Sequence, residues 1–292
     1  MSTFRVITRK LGHRYIWARL FVERLSEPFH LNLISLAVAA FGSFRTKAAF
    51  DLVIRCQHAY GLLKSADYAK SLGFKSVTLI EFGVAAGAGL LNICDIAKRV
   101  TQCTGIEFRI YGFDTGSGMP PPQGYKDHPD LYASGDFPMN FEALSQKLPA
   151  NCRLVIGDIA TTLRDFISTA DPASPIGFVS LDVDYYTSTR DALGVFDGQA
   201  SLYLPRVQIY LDDLEDMSHN SWCGELLAVH EFNQARELRK IERHTFLRGY
   251  RIFKNARWID HMFQLHVLDH PVRSEVRATA NLSPVVLTNP YL

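Results

Sequence analysis

The chain has 292 residues, 31 Lys and Arg against 30 Asp and Glu for a net charge of +1, and is 47% hydrophobic and 21% charged. That composition supports a large core in one or two domains and gives no global electrostatic case for a nucleic-acid partner. The five cysteines, Cys56, Cys94, Cys103, Cys152 and Cys223, are scattered and form no Cys-x-x-Cys, which argues against a disulfide framework or a zinc site and points to a reducing, cytoplasmic setting.

In chain order, the first 24 residues are basic and interleaved with Tyr15, Trp17 and Phe21. They read as an amphipathic helix packing on the body or on a second copy, giving a homodimer contact, with a membrane-surface or partner helix as the rival. The apolar stretch LNLISLAVAAF (31–41) is shorter than the roughly 20 residues a bilayer span requires, and no signal-peptide cleavage pattern is present. Residues 1–70 read as a helical extension, with AAFDLVIRCQHAYGLLKSADYAKSLG carrying three- and four-residue apolar spacing up to a stop at Gly73. A change of rhythm follows. SVTLIEF (76–82), FRIYGFD (108–114), CRLVIGD (152–158), IGFVSLD (176–182) and VQIYLDD (207–213) read as strands separated by helical stretches. GYRIF (249–253) and MFQLHVL (262–268) read as edge strands, one of them antiparallel. This pattern predicts a doubly wound α/β domain over 71–270, with a mainly parallel seven-stranded sheet and an irregular tail over 271–292. The Gly- and Pro-rich segment 116–138 is long for a plain connection, which suits a lid or binding loop.

Ligands of open parallel sheets bind outside the carboxyl ends of the strands. Here Asp114, Asp158, Asp182 and Asp212-Asp213 end four strands, and Glu81 stands one residue before the end of the other. A single Asp at such a place is equally well a helix N-cap; a row of them is less easily explained that way. The first turn, EFGVAAGAG (81–89), spaces Gly83, Gly87 and Gly89 so that the backbone can pass close to a ligand. Its spacing is not the Gly-x-Gly-x-x-Gly of dinucleotide folds, and no P-loop Lys is present. Asp114 is placed to accept ribose hydroxyl protons. Asp182 on the fourth strand neighbours Asp212 and Asp213 on the fifth. Three converging carboxylates repel one another, and a divalent cation such as Mg²⁺ relieves that repulsion. An Arg-paired cluster without metal is the alternative.

Together, EFGVAAGAG, YGFDTGSGMP, DVDYYTST and YLDD resemble class I S-adenosylmethionine-dependent methyltransferases, and within them the macrocin O-methyltransferase family, over roughly 77–232. The chain departs from that family's pattern at Val183, Gly116 and Leu214 and in YLPRV before the fifth strand. The resemblance implies a metal-dependent enzyme that methylates a hydroxyl of a sugar or glycosylated small metabolite. It implies that Glu81, Gly83, Gly87, Gly89, Asp114, Ser117 and Asp158 hold S-adenosylmethionine, with Asp158 near the adenine amino group, and that Asp182, Asp212 and Asp213 hold the metal. Asp184 is a further metal candidate.

His219, on the loop after the fifth strand, is the expected catalytic base, with Asp182 as an alternative base and His128 as a rival. Glu225 and Glu231 read as helix and packing residues. Tyr185, Tyr186 and Trp222 read equally as walls of an acceptor pocket or as core. An NAD-dependent oxidoreductase and a catalytically silent S-adenosylmethionine-binding protein are the competing functions.

Overall fold

The computed structural model describes residues 21–128, 130–214 and 220–274. Seven strands form one sheet: β1 (Ser76–Phe82), β2 (Glu107–Asp114), β3 (Cys152–Ile156), β4 (Ile176–Leu181), β5 (Tyr203–Leu211), β6 (Arg239–Arg243) and β7 (Met262–Val267). Their spatial order is β3-β2-β1-β4-β5-β7-β6. The pairs from β3 to β5 are parallel, and β7 runs antiparallel to both β5 and β6. The central strands are continuous apolar runs because both sheet faces are covered: all six residues of β4 are buried, as are all of β1 after Ser76.

Alternation along those strands splits the core in two. Leu79 and Phe178 point to a cluster shared with α3 (Cys56–Ser71) and α4 (Ala88–Thr104). Ile80 and Val179 point to the opposite cluster, shared with α6 (Ile159–Thr169), α7 (Tyr186–Leu193) and α8 (Gly224–Ala235). Period-2 alternation inside an apolar strand thus assigns each residue to one helical layer. Helix α3, read from sequence as part of an extension, is a layer of the sheet itself, packed on β1, β4 and β5. Ahead of it lie α1 (Phe29–Phe41) and α2 (Phe44–Ala49). Helix α1 leaves Phe29, Leu36 and Phe41 exposed. Between β2 and β3, Asn140 caps the short α5 (Phe141–Ser145).

The structure corrects three expectations. The helical rhythm across 48–73 is broken at 50–55, where Asp51 and Arg55 both take positive φ (53° and 55°). The cause is remote in sequence: Arg251 Nη2 donates to the carbonyls of Ala48 and Ala49 (2.9 and 3.1 Å) and to Asp51 Oδ1 (2.6 Å). These bonds satisfy the open carbonyl end of α2 and anchor the loop that follows. Second, Gly249–Phe253 is not a strand, because Leu247–Tyr250 forms a helical turn. The edge strand is β6, RKIER, where only Ile241 is buried. Third, β5 begins at Tyr203, four residues earlier than its apolar run suggests, and Pro205 sits where the register against β4 shifts. That irregularity is where a residue without an N–H is tolerated in an interior strand. The basic segment 1–20 and the tail 275–292 lie outside the described residues. Among the described residues no helix is long and apolar enough to cross a membrane.

Gly61 lies in mid-helix on α3, and a Cβ there would stand 2.4 Å from ring atoms of the fully buried Phe178. Gly61→Ala should therefore destabilise by about 1–3 kcal/mol from overpacking, outweighing the roughly 1 kcal/mol of helix propensity it gains. Urea titration measures this, and a stabilised variant would contradict the close contact.

Candidate active site

The backbone ladder runs one step past the formal ends of the central strands. Gly83 N donates to Phe113 O, Asp182 N to Phe82 O and Asp212 N to Leu181 O, each at 3.0 Å. These bonds hold the glycine-rich turn and the two acidic strand ends side by side. A Cβ on Gly83 would lie 1.7 Å from the Asp182 carbonyl oxygen, one on Gly89 2.0 Å from Glu81 Oε1, and one on Gly87 2.3 Å from a Leu144 methyl. Protein groups that press on the turn therefore already require glycine at these three positions, and Gly83 and Gly89 also border the cleft described below. Gly83 and Gly87 also need φ of +82°. Asp114 organises the same turn: Oδ2 accepts from Val84 N and Ala85 N at 2.9 and 2.8 Å, and Oδ1 from Gly116 N at 2.7 Å. Asp158 caps α6 by accepting from Thr161 N at 3.2 Å. Asp158 also lines the cleft described below.

Asp182, Asp212 and Asp213 each present an oxygen within 4.8 Å of the others. Among the described residues no Lys or Arg forms an ion pair with them. Two residues that sequence reasoning did not assign to the site hold this cluster. Tyr210 donates its hydroxyl to Asp212 Oδ1 at 2.5 Å, and its ring stacks on His261 at 5.8 Å. Glu225 Oε2 accepts from Asp213 N at 3.3 Å, while its Oε1 is buried without a hydrogen-bond partner. Tyr210 was legible in part, since it precedes Asp212 by two residues. Glu225 was not, because its helix follows a loop whose path the sequence does not define. Asp184 lies at φ +56° and donates its N–H to Asp213 Oδ2 at 3.1 Å.

Burial and mutual repulsion dominate the electrostatics. Burial, then the nearby Asp182, lifts the Glu81 carboxyl well above its ordinary value. Burial, then Glu225, does the same to Asp213; burial, then Asp182, does it to Glu225. Asp182 is pushed up to about 7 by burial and by Asp212 and Asp184. Glu81 Oε2 is buried and unpartnered in this structure.

Glu81, Gly83, Gly89, Asp114, Asp158, Asp182 and Asp213 all border one cleft of about 490 Å³. The loop 116–138 covers part of it with Met119, Pro120, Tyr132 and Phe137. The loop is fastened by the fully buried Asp127, which accepts from Thr187 N (2.8 Å), Thr187 Oγ1 (3.0 Å) and Gln123 N (2.7 Å). Lys126 adds an ion pair to Glu231 at 2.8 Å, and Tyr186 donates to the same carboxylate.

Several predicted residues stand elsewhere. Ser117 is exposed and donates to Thr115 Oγ1; of the two, Thr115 lines the cleft. Gly87 supports Leu144 and does not border the cleft. His128 is buried against Gly224, where a Cβ would meet its Nε2 at 2.9 Å. Tyr185 is fully buried under Tyr132, Tyr186 is tied to Glu231, and Trp222 is 74% exposed, so none of the three walls the cleft. His219 lies outside the described residues.

No family model matches the sequence, and no curated protein matches it. Solved structures do. The calicheamicin methyltransferase CalS11 is 20% identical, with a TM-score of 0.46 over 70% of this chain and 84% of that chain. The O-methyltransferase NovP is 17% identical, with a TM-score of 0.44 over 62% and 72%. TomG from Streptomyces achromogenes, an O-methyltransferase solved with SAM, is 13% identical, with a TM-score of 0.38 over 80% and 89%. The fold is that of class I methyltransferases, and it is the strand order, with an antiparallel β7 inserted between β5 and β6, that defines it.

The raised Asp182 carboxyl has a consequence for stability. Around neutral pH the native state retains a proton that the unfolded chain, with Asp near its ordinary 3.8, has released. Stability of the metal-free protein should therefore fall as pH rises through 7. Burial of His58 acts oppositely at lower pH: its imidazole is pushed down to about 3, so below about 6.5 the unfolded chain takes up a proton that the fold refuses. In EDTA, the melting temperature should drop from pH 6.5 to pH 8.5, and Asp182→Asn should make that limb shallower, the remainder coming from Glu81, Asp213 and Glu225. An unchanged slope in the variant would show that Asp182 titrates normally.

Proposed function

We propose that the protein transfers a methyl group from S-adenosylmethionine to a hydroxyl of a small molecule, assisted by a divalent cation. The observation that carries this reading is that the glycine-rich turn and two of the three clustered carboxylates, Asp182 and Asp213, open into one cleft. The residues suit both groups. Three carboxylates within 4.8 Å, unpaired with any described Lys or Arg, form a hard-oxygen donor set matched to Mg²⁺ or Mn²⁺. The unpartnered Glu81 oxygen offers an acceptor to the cofactor's ammonium, and Asp114 and Asp158 offer oxygens to its nucleoside.

When bound, S-adenosylmethionine supplies a methyl carbon on a positively charged sulfur, and the cation supplies a Lewis-acidic anchor for the acceptor's oxygens. The chain does the rest by placement. Glu81, Asp114 and Asp158 fix one reactant against the turn. Asp182, Asp212 and Asp213 would hold the cation, and through it the acceptor, on the other side of the same cleft edge, where alignment of the two reactants lowers the barrier. Met119, Tyr132 and Phe137 reduce access of water from the loop side. The hydroxyl proton passes to a base: Asp182, a member of the cluster, or His219, the base expected from the sequence. A sugar or glycosylated metabolite as acceptor rests on the resemblance of the motifs.

Two measurements test the reading. Calorimetric titration with S-adenosylhomocysteine should show binding, and titration with NAD should show none; the reverse would favour the oxidoreductase. Asp213→Asn should weaken Mg²⁺ binding by at least about 10–100-fold and remove methyl transfer, while leaving S-adenosylhomocysteine affinity nearly unchanged. Undiminished turnover in that variant would eliminate the metal's role.

A further inference from the structure

Arg55 had no place in the sequence reading of the site, yet it borders the cleft, and it is the one basic side chain among the described residues that does. The other charged residues lining the cleft are all Asp or Glu. No described carboxylate lies within ion-pair distance of its guanidinium, and its side chain forms no hydrogen bond to a described residue. Its charge still reaches the site, lowering the Glu81 and Asp182 carboxyls against the larger effect of burial.

The backbone around Arg55 is held in place by the groups on either side of it. Arg55 sits at φ +55°, a left-handed conformation that is unfavourable for a non-glycine residue. The loop that imposes it is anchored at both ends. At one end Asp51 is paired with Arg251. At the other, Asn92 of α4 donates to the Ile54 carbonyl at 3.4 Å and bonds the His58 ring at 3.1 Å. Helix α4 is the helix opened by the glycine-rich turn. Arg55 is therefore tied to the turn's own helix and carried to the mouth of an acidic cleft.

We propose that Arg55 binds the carboxylate of the cofactor's amino-acid end, making the helical segment before β1 a functional part of the cofactor site. The assignment rests on the proposed function. Charge matching leads to it. The sulfonium and ammonium of S-adenosylmethionine suit the carboxylates of the cleft, whereas its carboxylate, the one anionic group it carries, has Arg55 as the single cationic side chain among the described lining residues. A guanidinium offers that group a planar, two-point, charge-assisted contact. An anionic group on the acceptor has the same chemistry and is the competing occupant.

The test is calorimetric, with Mg²⁺ held constant. S-adenosylhomocysteine and its analogue lacking the carboxylate are titrated into wild-type protein, Arg55→Asn and Arg55→Lys. Asn tolerates a left-handed backbone, so Arg55→Asn removes the charge with little cost to the loop. Wild type should prefer the carboxylate-bearing ligand by about 10–100-fold. Arg55→Asn should bring the two ligands within about 3-fold of each other, by weakening S-adenosylhomocysteine alone, and Arg55→Lys should restore part of the preference. If Arg55→Asn keeps the full preference, Arg55 does not read the cofactor. An undisturbed cofactor preference with a raised acceptor KM would assign the residue to the acceptor instead and overturn the proposal. Failure of wild type to bind either ligand would remove the methyltransferase reading, and this assignment with it.

Discussion

Like charges held together out of water are the constraint around which this molecule is arranged. Glu81, Asp182, Asp213 and Glu225 are all pushed toward protonation by burial and by one another. An isolated buried carboxylate is costly, and several within a few ångströms are more so. Glu81, Asp182 and Asp213 remain together because the sheet leaves them no alternative, and helix α8 brings Glu225 to them. Hydrogen bonds between neighbouring strands extend into Gly83, Asp182 and Asp212, and the parallel direction of β1, β4 and β5 delivers every acidic end to the same edge. The apolar cores on the two faces hold those strands in register; the price is repulsion at one end, and that end is where a cation and a cationic cofactor would be most strongly attracted.

Support for the cluster comes from layers that look purely structural. Tyr210 reaches Asp212 from inside β5 while its ring rests on His261 and meets the edge of His58. Helix α8 contributes Glu225 to the backbone of Asp213. Helix α7 begins directly after the acidic segment and takes the buried Asp127 latch through Thr187. Each covering element is thus hydrogen-bonded to residues within a few positions of the carboxylates.

Much of this was legible in the sequence, and the reasons are specific. β1 and β4 were readable to within a residue because a strand covered on both faces must be apolar throughout, and a turn residue or an acid marks its end. The convergence of Asp182 with Asp212 and Asp213 followed from adjacent parallel strands. Other features depend on partners far along the chain. The break before α3 is imposed by Arg251, some 200 positions from Asp51, and no local pattern announces it. β6 was missed because an edge strand needs only Ile241 inside, so its pattern is nearly all charge. The glycines were singled out for close approach to a ligand; the crowding by Asp182, Glu81 and Leu144 is a second requirement, set by residues elsewhere in the chain that no local pattern shows. Arg55 was hidden in a run read as continuous helix, where a basic residue signals only solvent.

The same charged edge bears on how the sheet ends. A strand without a neighbour offers a row of unmatched N–H and C=O groups to any passing chain. At β6, Glu242 and Arg243 are exposed, so a strand docking there would have to strip water from both ions. Asp269 and the Asn233 carbonyl already hold Arg239 and Lys240, which fixes the edge to its own molecule. Inserting β7 ahead of β6 therefore does more than complete the order of the sheet. It places the least apolar strand at the rim, so that lateral growth from copy to copy is blocked on that side by the cost of desolvating charge.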